Sequence, residues 1–85
     1  MVAGEKEVLE KVKRRLSDIE AELLEYGRFK VSDVDYLNRI YRKVVELLHE
    51  LNRLNPGGPE VRREKRRCLR LMHWIDNEIN RLLRI

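Results

Sequence analysis

Leu51-Asn52-Arg53-Leu54-Asn55-Pro56-Gly57-Gly58-Pro59-Glu60-Val61 is the stretch on which the fold turns. Proline lacks a backbone N–H and glycine loses the most entropy on becoming helical, so Asn55-Pro56-Gly57-Gly58 stops a helix arriving from Leu54. Pro59 has the fixed φ and the dispensable N–H that suit the first position of a new helix, and Glu60 falls at the positive end of its dipole. Upstream, Leu37, Ile40, Tyr41, Val44, Leu47, Leu48 and Leu51 recur with helical period, with Leu54 at the edge of that face. Downstream, Val61, Cys68, Leu71, Met72, Ile75, Ile79 and Leu82 do the same nearly to the C-terminus.

The middle pattern begins at Ser32, which reads as an N-cap with Asp35 three positions on and with Val31 and Tyr36 at hydrophobic-staple spacing. Before it, Leu9, Val12, Leu16, Ile19 and Leu23 form a third stripe flanked by Val8 and Leu24. Glu7 with Lys11 and Glu10 with Arg14 have the favoured acid-first order. Gly27 follows as the expected left-handed stop, and Phe29 is expected to cover the bundle end. These readings predict an all-α protein. Its single domain over residues 1–85 is an up-down-up three-helix bundle, with helices at about 5–26, 33–55 and 59–84 and loops of about five residues.

With 85 residues, of which 42% are hydrophobic and 40% charged, the chain builds one core from amphipathic helices and leaves little for loops. The single cysteine, Cys68, makes no internal disulfide and supports no cysteine-based zinc site. The N-terminus lacks a signal-peptide core, and no run approaches the roughly 18 apolar residues of a membrane span. The expectation is a soluble chain without membrane contact, monomeric or weakly self-associating, and cytoplasmic if natural.

The loop and its restart, Asn55-Pro56-Gly57-Gly58-Pro59-Glu60-Val61, resemble the connections of de novo designed three-helix bundles. Helices of matched length, a strong cap and minimal ornament extend the likeness along the chain. It implies a designed or engineered helical scaffold with no native compartment. Cys68 and Met72 on the core face, and Asn38, Asn52, Asn77, Asn80, His49 and His73 along the helices, depart from that idealised style. Charge-laced helices are equally the habit of proteins from heat-loving organisms.

The catalytic patterns fail on spacing. His49-Glu50-Leu51-Asn52-Arg53 begins like a helical zinc-protease motif, but Arg53 stands where the second imidazole is required. His49 and His73 project away from the apolar stripes, so each reads as a solvated surface residue, and the Arg67 and His73 spacing is what an arginine-rich helix produces by chance. Cys68 reads as a small core hydrophobe. Glu20 and Glu64 fall near core stripes, where a carboxylate can snorkel, pair with an arginine of the neighbouring helix or mark a designed polar contact, and no second acid is placed to act with either. No enzyme activity, catalytic residue, cofactor or metal ligand is predicted.

Charge and exposure leave two surface readings. Residues 59–70 hold six of the nineteen Lys and Arg but two of the fifteen acids, so the net charge of +4 resides there. Arg62, Arg63, Arg66, Arg67 and Arg70 have the forked geometry that suits nucleic-acid phosphates. Up-down-up topology also places Glu5, Glu7, Glu10, Glu46 and Glu50 near this stretch, which predicts neutralising inter-helix pairs. Trp74 lies about 100° from the centre of its helix's inward face, among Arg67, Arg70, Glu78 and Arg81, while Leu69 is poorly placed for the core on the other flank. The leading expectation is a helical scaffold or protein-interaction module whose contact residues are Trp74, Arg70, Arg81 and Leu69. The alternative is a small basic nucleic-acid-binding protein using the arginine cluster. Stability is expected to concentrate at the Leu16, Leu47, Met72 and Ile75 end, with the arginine-rich end held mainly by inter-helix charge pairs.

Overall fold

The computed structural model describes residues 2–29, 33–54 and 58–84, which form three helices, α1 (Val2–Phe29), α2 (Val34–Asn52) and α3 (Pro59–Leu83). Among these residues there is no strand. Side-chain contacts set the topology. Lys11 of α1 reaches Glu50 near the end of α2 at 3.7 Å, while Tyr26 stacks on Tyr36 near its start, with ring centres 5.5 Å apart, so the two helices run antiparallel. Lys13 meets Glu60 at 3.6 Å and Glu20 meets Arg67, pairs with the same sequence separation, so α1 and α3 run parallel in fixed register. The up-down-up bundle is the predicted one, drawn out to 49 × 20 × 18 Å by the length of its helices.

All five residues of the first stripe are buried, as are Leu37, Ile40, Val44, Leu47, Leu51 and Leu54, and from α3 Val61, Cys68 and Ile75. Leu71, Met72, Ile79 and Leu82 pack on this core while only partly buried. Helices α2 and α3 make the most extensive pair, and α1 with α3 the least.

The helix boundaries differ from the expected ones at both ends of α1 and both ends of α2. Helix α1 continues through Gly27 to Phe29 instead of stopping at residue 26, and begins at Val2 rather than at residue 5. A helical glycine costs about 1 kcal/mol relative to alanine, too little to end a long amphipathic helix by itself. The N-cap of α2 is Asp33, not Ser32: its carboxylate accepts the Tyr36 N–H at 3.1 Å from an extended backbone. A carboxylate caps well and adds charge at the positive end of the dipole. Helix α2 ends at Asn52, short of 55, where the Arg53 N–H donates to His49 and Glu50 and the Leu54 N–H to Leu51, tightening the last turn. The expected roles of Val31, Ser32 and the Phe29 side chain lie outside the described residues. At α3, Gly58 is the N-cap in extended conformation with no side-chain cap, and Pro59 opens the helix as predicted.

Candidate functional site

Arg67 occupies the middle of the groove between α1 and α3. Its Nη1 donates to Glu64 Oε1 at 3.0 Å one turn earlier on the same helix, and its Nη2 to Ser17 Oγ at 3.0 Å across the groove. Nε and Nη2 together grip both oxygens of Glu20, the Nε contact measuring 3.2 Å. The two acids near the core stripes therefore converge on one guanidinium, and Glu20 pairs with an arginine of the neighbouring helix, one of the arrangements expected for it. Glu64 is buried, with 5% of its surface exposed, and a carboxylate there requires a cation. The grip of Arg67 holds the Glu20 carboxyl below its usual range, against the opposing effect of partial burial. Both acids in turn raise the affinity of Arg67 for its proton.

Beneath this network lies Cys68, without exposed surface. Burial first, and the Glu64 charge second, push its thiol up to about 11, so it stays protonated near neutrality and behaves as a core hydrophobe. His49 and His73 are both exposed. Among the described residues no group of three or more His, Cys, Asp or Glu comes together to hold a metal ion, and no helix is long and apolar enough to cross a membrane.

The arginine cluster divides. Arg67 is engaged as above, while Arg62, Arg63, Arg66 and Arg70 are exposed and form no ion pair among the described residues. Arg62, Arg63 and Arg66 line a concavity with Pro59 at the start of α3. The acids expected to neutralise them form no ion pair with them among the described residues: Glu10 takes Lys13, which also meets Glu60, and Glu50 takes Lys11. Lysine stems rising from α1 reach these carboxylates first, and the arginines point outward from α3.

Trp74 is 42% exposed and lines a shallow depression with Glu20, Arg67, Arg70 and Leu71. Arg81 lies two turns beyond it, tied to Glu78 by contacts of 2.8 and 3.2 Å that hold the Glu78 carboxyl low. Trp74, Arg70 and Arg81 thus share one flank of α3. Leu69, 53% exposed, does not join them, since five residues turn a helix by about 140°. Leu24, 75% exposed, enlarges the apolar surface on the Trp74 side: four residues after Glu20, it shares that residue's face of α1, and the register of the two helices sets it level with Leu71. The sequence marks Leu24 as a flanking position, but only the register attaches it to Trp74. Leu83 is also exposed, at half a turn from Trp74. No family model matches the chain, and comparisons with curated proteins and with solved structures give no match either.

Proposed function

We propose that the chain is a non-enzymatic helical scaffold that binds another protein through the Trp74 flank of α3. One observation carries the reading: a large aromatic ring is left partly open above a groove that also contains Leu71, with arginine at its rim. A core-facing tryptophan has no such opening, and Trp with Arg at the edge of a pocket is the usual composition of an interface anchor. Arg70 is exposed and makes no ion pair among the described residues, while Arg81 enters as the neutral pair it makes with Glu78. Leu69 belongs to a separate flank. Panning an unbiased displayed peptide library against the folded protein tests the reading. Ligands enriched on the wild type are expected to lose about tenfold or more in affinity for Trp74→Ala, with helical circular dichroism retained. Ligands indifferent to that change would refute it.

A second reading rests on the exposed arginines that make no ion pair among the described residues. Arg62, Arg63 and Arg66 frame an open basic concavity at the start of α3, next to backbone N–H groups that no side chain caps. Such a cradle suits phosphates of a nucleic-acid backbone, with Arg70 one turn further along. Four such contacts give a slope of roughly −3 to −4 in log affinity against log salt on duplex DNA. Absence of binding at low salt removes this reading, and Arg67 variants leave it unaffected because that side chain is already bound.

A further inference from the structure

Adjacent residues sort the two sides of α3. Arg67 and Leu69 stand about 100° to either side of the buried Cys68, and Arg67 faces α1. The Leu69 side is therefore turned from α1 and borders α2. In α2 the buried Val44 divides Lys43, which lines a groove towards α1, from Val45. The residues that share the Val45 side at helical spacing are Asn38, Tyr41 and Leu48, so this side of α2 holds no charge over about three turns, in a chain that is 40% charged. Tyr41, Val45 and Leu48 are half-buried. On α3, Lys65, Leu69, Met72 and Asp76 follow one another at steps of four, three and four residues and complete this face. Leu69 is exposed, Met72 and Lys65 are half-buried, and neither Lys65 nor Asp76 makes an ion pair among the described residues.

The α3 stripe is a cation, two apolar residues and an anion, evenly placed about its midpoint. We propose that it pairs with the same stripe of a second copy of this chain, the two α3 helices running antiparallel about a two-fold axis. Leu69 stands four residues after Lys65, as Asp76 does after Met72. A pairing that sets Leu69 level with Met72 of the second copy therefore also sets Lys65 level with its Asp76. The two-fold axis repeats both contacts, which gives two ion pairs around an apolar centre. Antiparallel pairing keeps the arginine-rich starts of the two α3 helices at opposite ends. A parallel one sets Lys65 against Lys65 and brings the exposed Arg62 and Arg66 beside their own copies. The uncharged side of α2 extends the apolar surface without a competing charge. This face is separate from the Trp74 flank, which lies on the α1 side of α3.

Sedimentation equilibrium from about 10 µM to about 1 mM protein at about 0.05 M salt tests the pairing, and the apparent mass is expected to rise from monomer towards dimer. Leu69→Gln is expected to weaken association about tenfold with helical circular dichroism unchanged, because that side chain is 53% exposed in the single chain. Lys65→Glu and Asp76→Lys are each expected to weaken it about tenfold or more, since each sets like charges against one another at both ends of the stripe. An equimolar mixture of these two variants is expected to regain association as a heterodimer, in which both end pairs are again opposite in sign. A stripe that served only the fold of one chain would give no such rescue. Trp74→Ala is expected to leave association unchanged, and its loss there would assign the contact to the other flank and overturn this one. Monomers at every concentration, association that survives Leu69→Gln, or a mixture that stays monomeric overturns the dimer, and these three outcomes leave a partner contact at Trp74 untouched.

Discussion

Arg67 directs its guanidinium at Glu20, Glu64 and Ser17 rather than at solvent, and so ties α1 to α3 where these helices otherwise touch least. Removing a cation from a buried carboxylate costs more than the pair contributes, because the remaining charge stays desolvated. Arg67→Met is therefore expected to lower the unfolding free energy by about 2 kcal/mol in urea titrations, discounted for the partial exposure of the site, and Glu64→Leu in the same chain to restore most of it. Glu20 and Tyr36 each contribute to the pH response. Glu20 is held below 4.5 in the folded state, so its stabilisation is full above 4.5 and disappears as pH falls through the lower folded value. Tyr36 is raised above 10.0 by burial and by donating its hydroxyl to Glu22, so its contribution is full below 10.0 and disappears as pH rises through the higher folded value. Stability measured against pH is expected to fall less steeply on the acid side in Glu20→Gln and on the alkaline side in Tyr36→Phe. Parallel curves for variant and wild type would contradict these assignments.

The three helices were readable because hydrophobic period and loop chemistry agree along the chain: the stripe from Leu9 to Leu23 is buried in full, and Pro59 opens α3 where its missing N–H costs nothing. The boundaries were less so, since Ser32 and Asp33 are both good caps and only backbone geometry chooses between them. At the site, Trp74, Arg70 and Arg81 could be grouped from spacing along one helix. The Glu20, Arg67 and Glu64 network could not, because it depends on the register of α1 against α3, which no local pattern encodes. Two caps make this scale testable. Asp33→Ala is expected to cost about 1 kcal/mol through loss of the bond to the Tyr36 N–H. Gly58→Asp is expected to add a few tenths of a kcal/mol. The backbone there is extended, an added Cβ meets nothing within 4 Å, and a carboxylate would reach orphan N–H groups beside Arg62 and Arg63. Denaturation midpoints moving in opposite directions for the two variants would bear this out.

Across the whole molecule the packing is uneven, but not in the direction that apolar content along α3 suggests. Val61, Leu51, Leu54, Leu9 and Val12 are buried at the arginine-rich end, so that end has a core of its own and is not held by charge pairs alone. At the other end, the register sets the last residue of α1 level with residue 76 of α3, which then runs about two turns further. Ile79 and Leu82 consequently remain partly open, and Ile75 is the last fully buried residue of α3. Ile75→Ala is expected to cost about 3 kcal/mol and Ile79→Ala about 1 kcal/mol, an order that thermal or urea unfolding would reveal. The exposed flank that results is the basis for a partner site, and Trp74, the sole tryptophan, reports on it directly. Acrylamide quenching of its fluorescence in the isolated protein is the most direct measurement: an accessible Trp74 gives red-shifted emission and efficient quenching. Blue-shifted emission resistant to quencher would mean that the ring is buried and would contradict the contact surface assigned to α3.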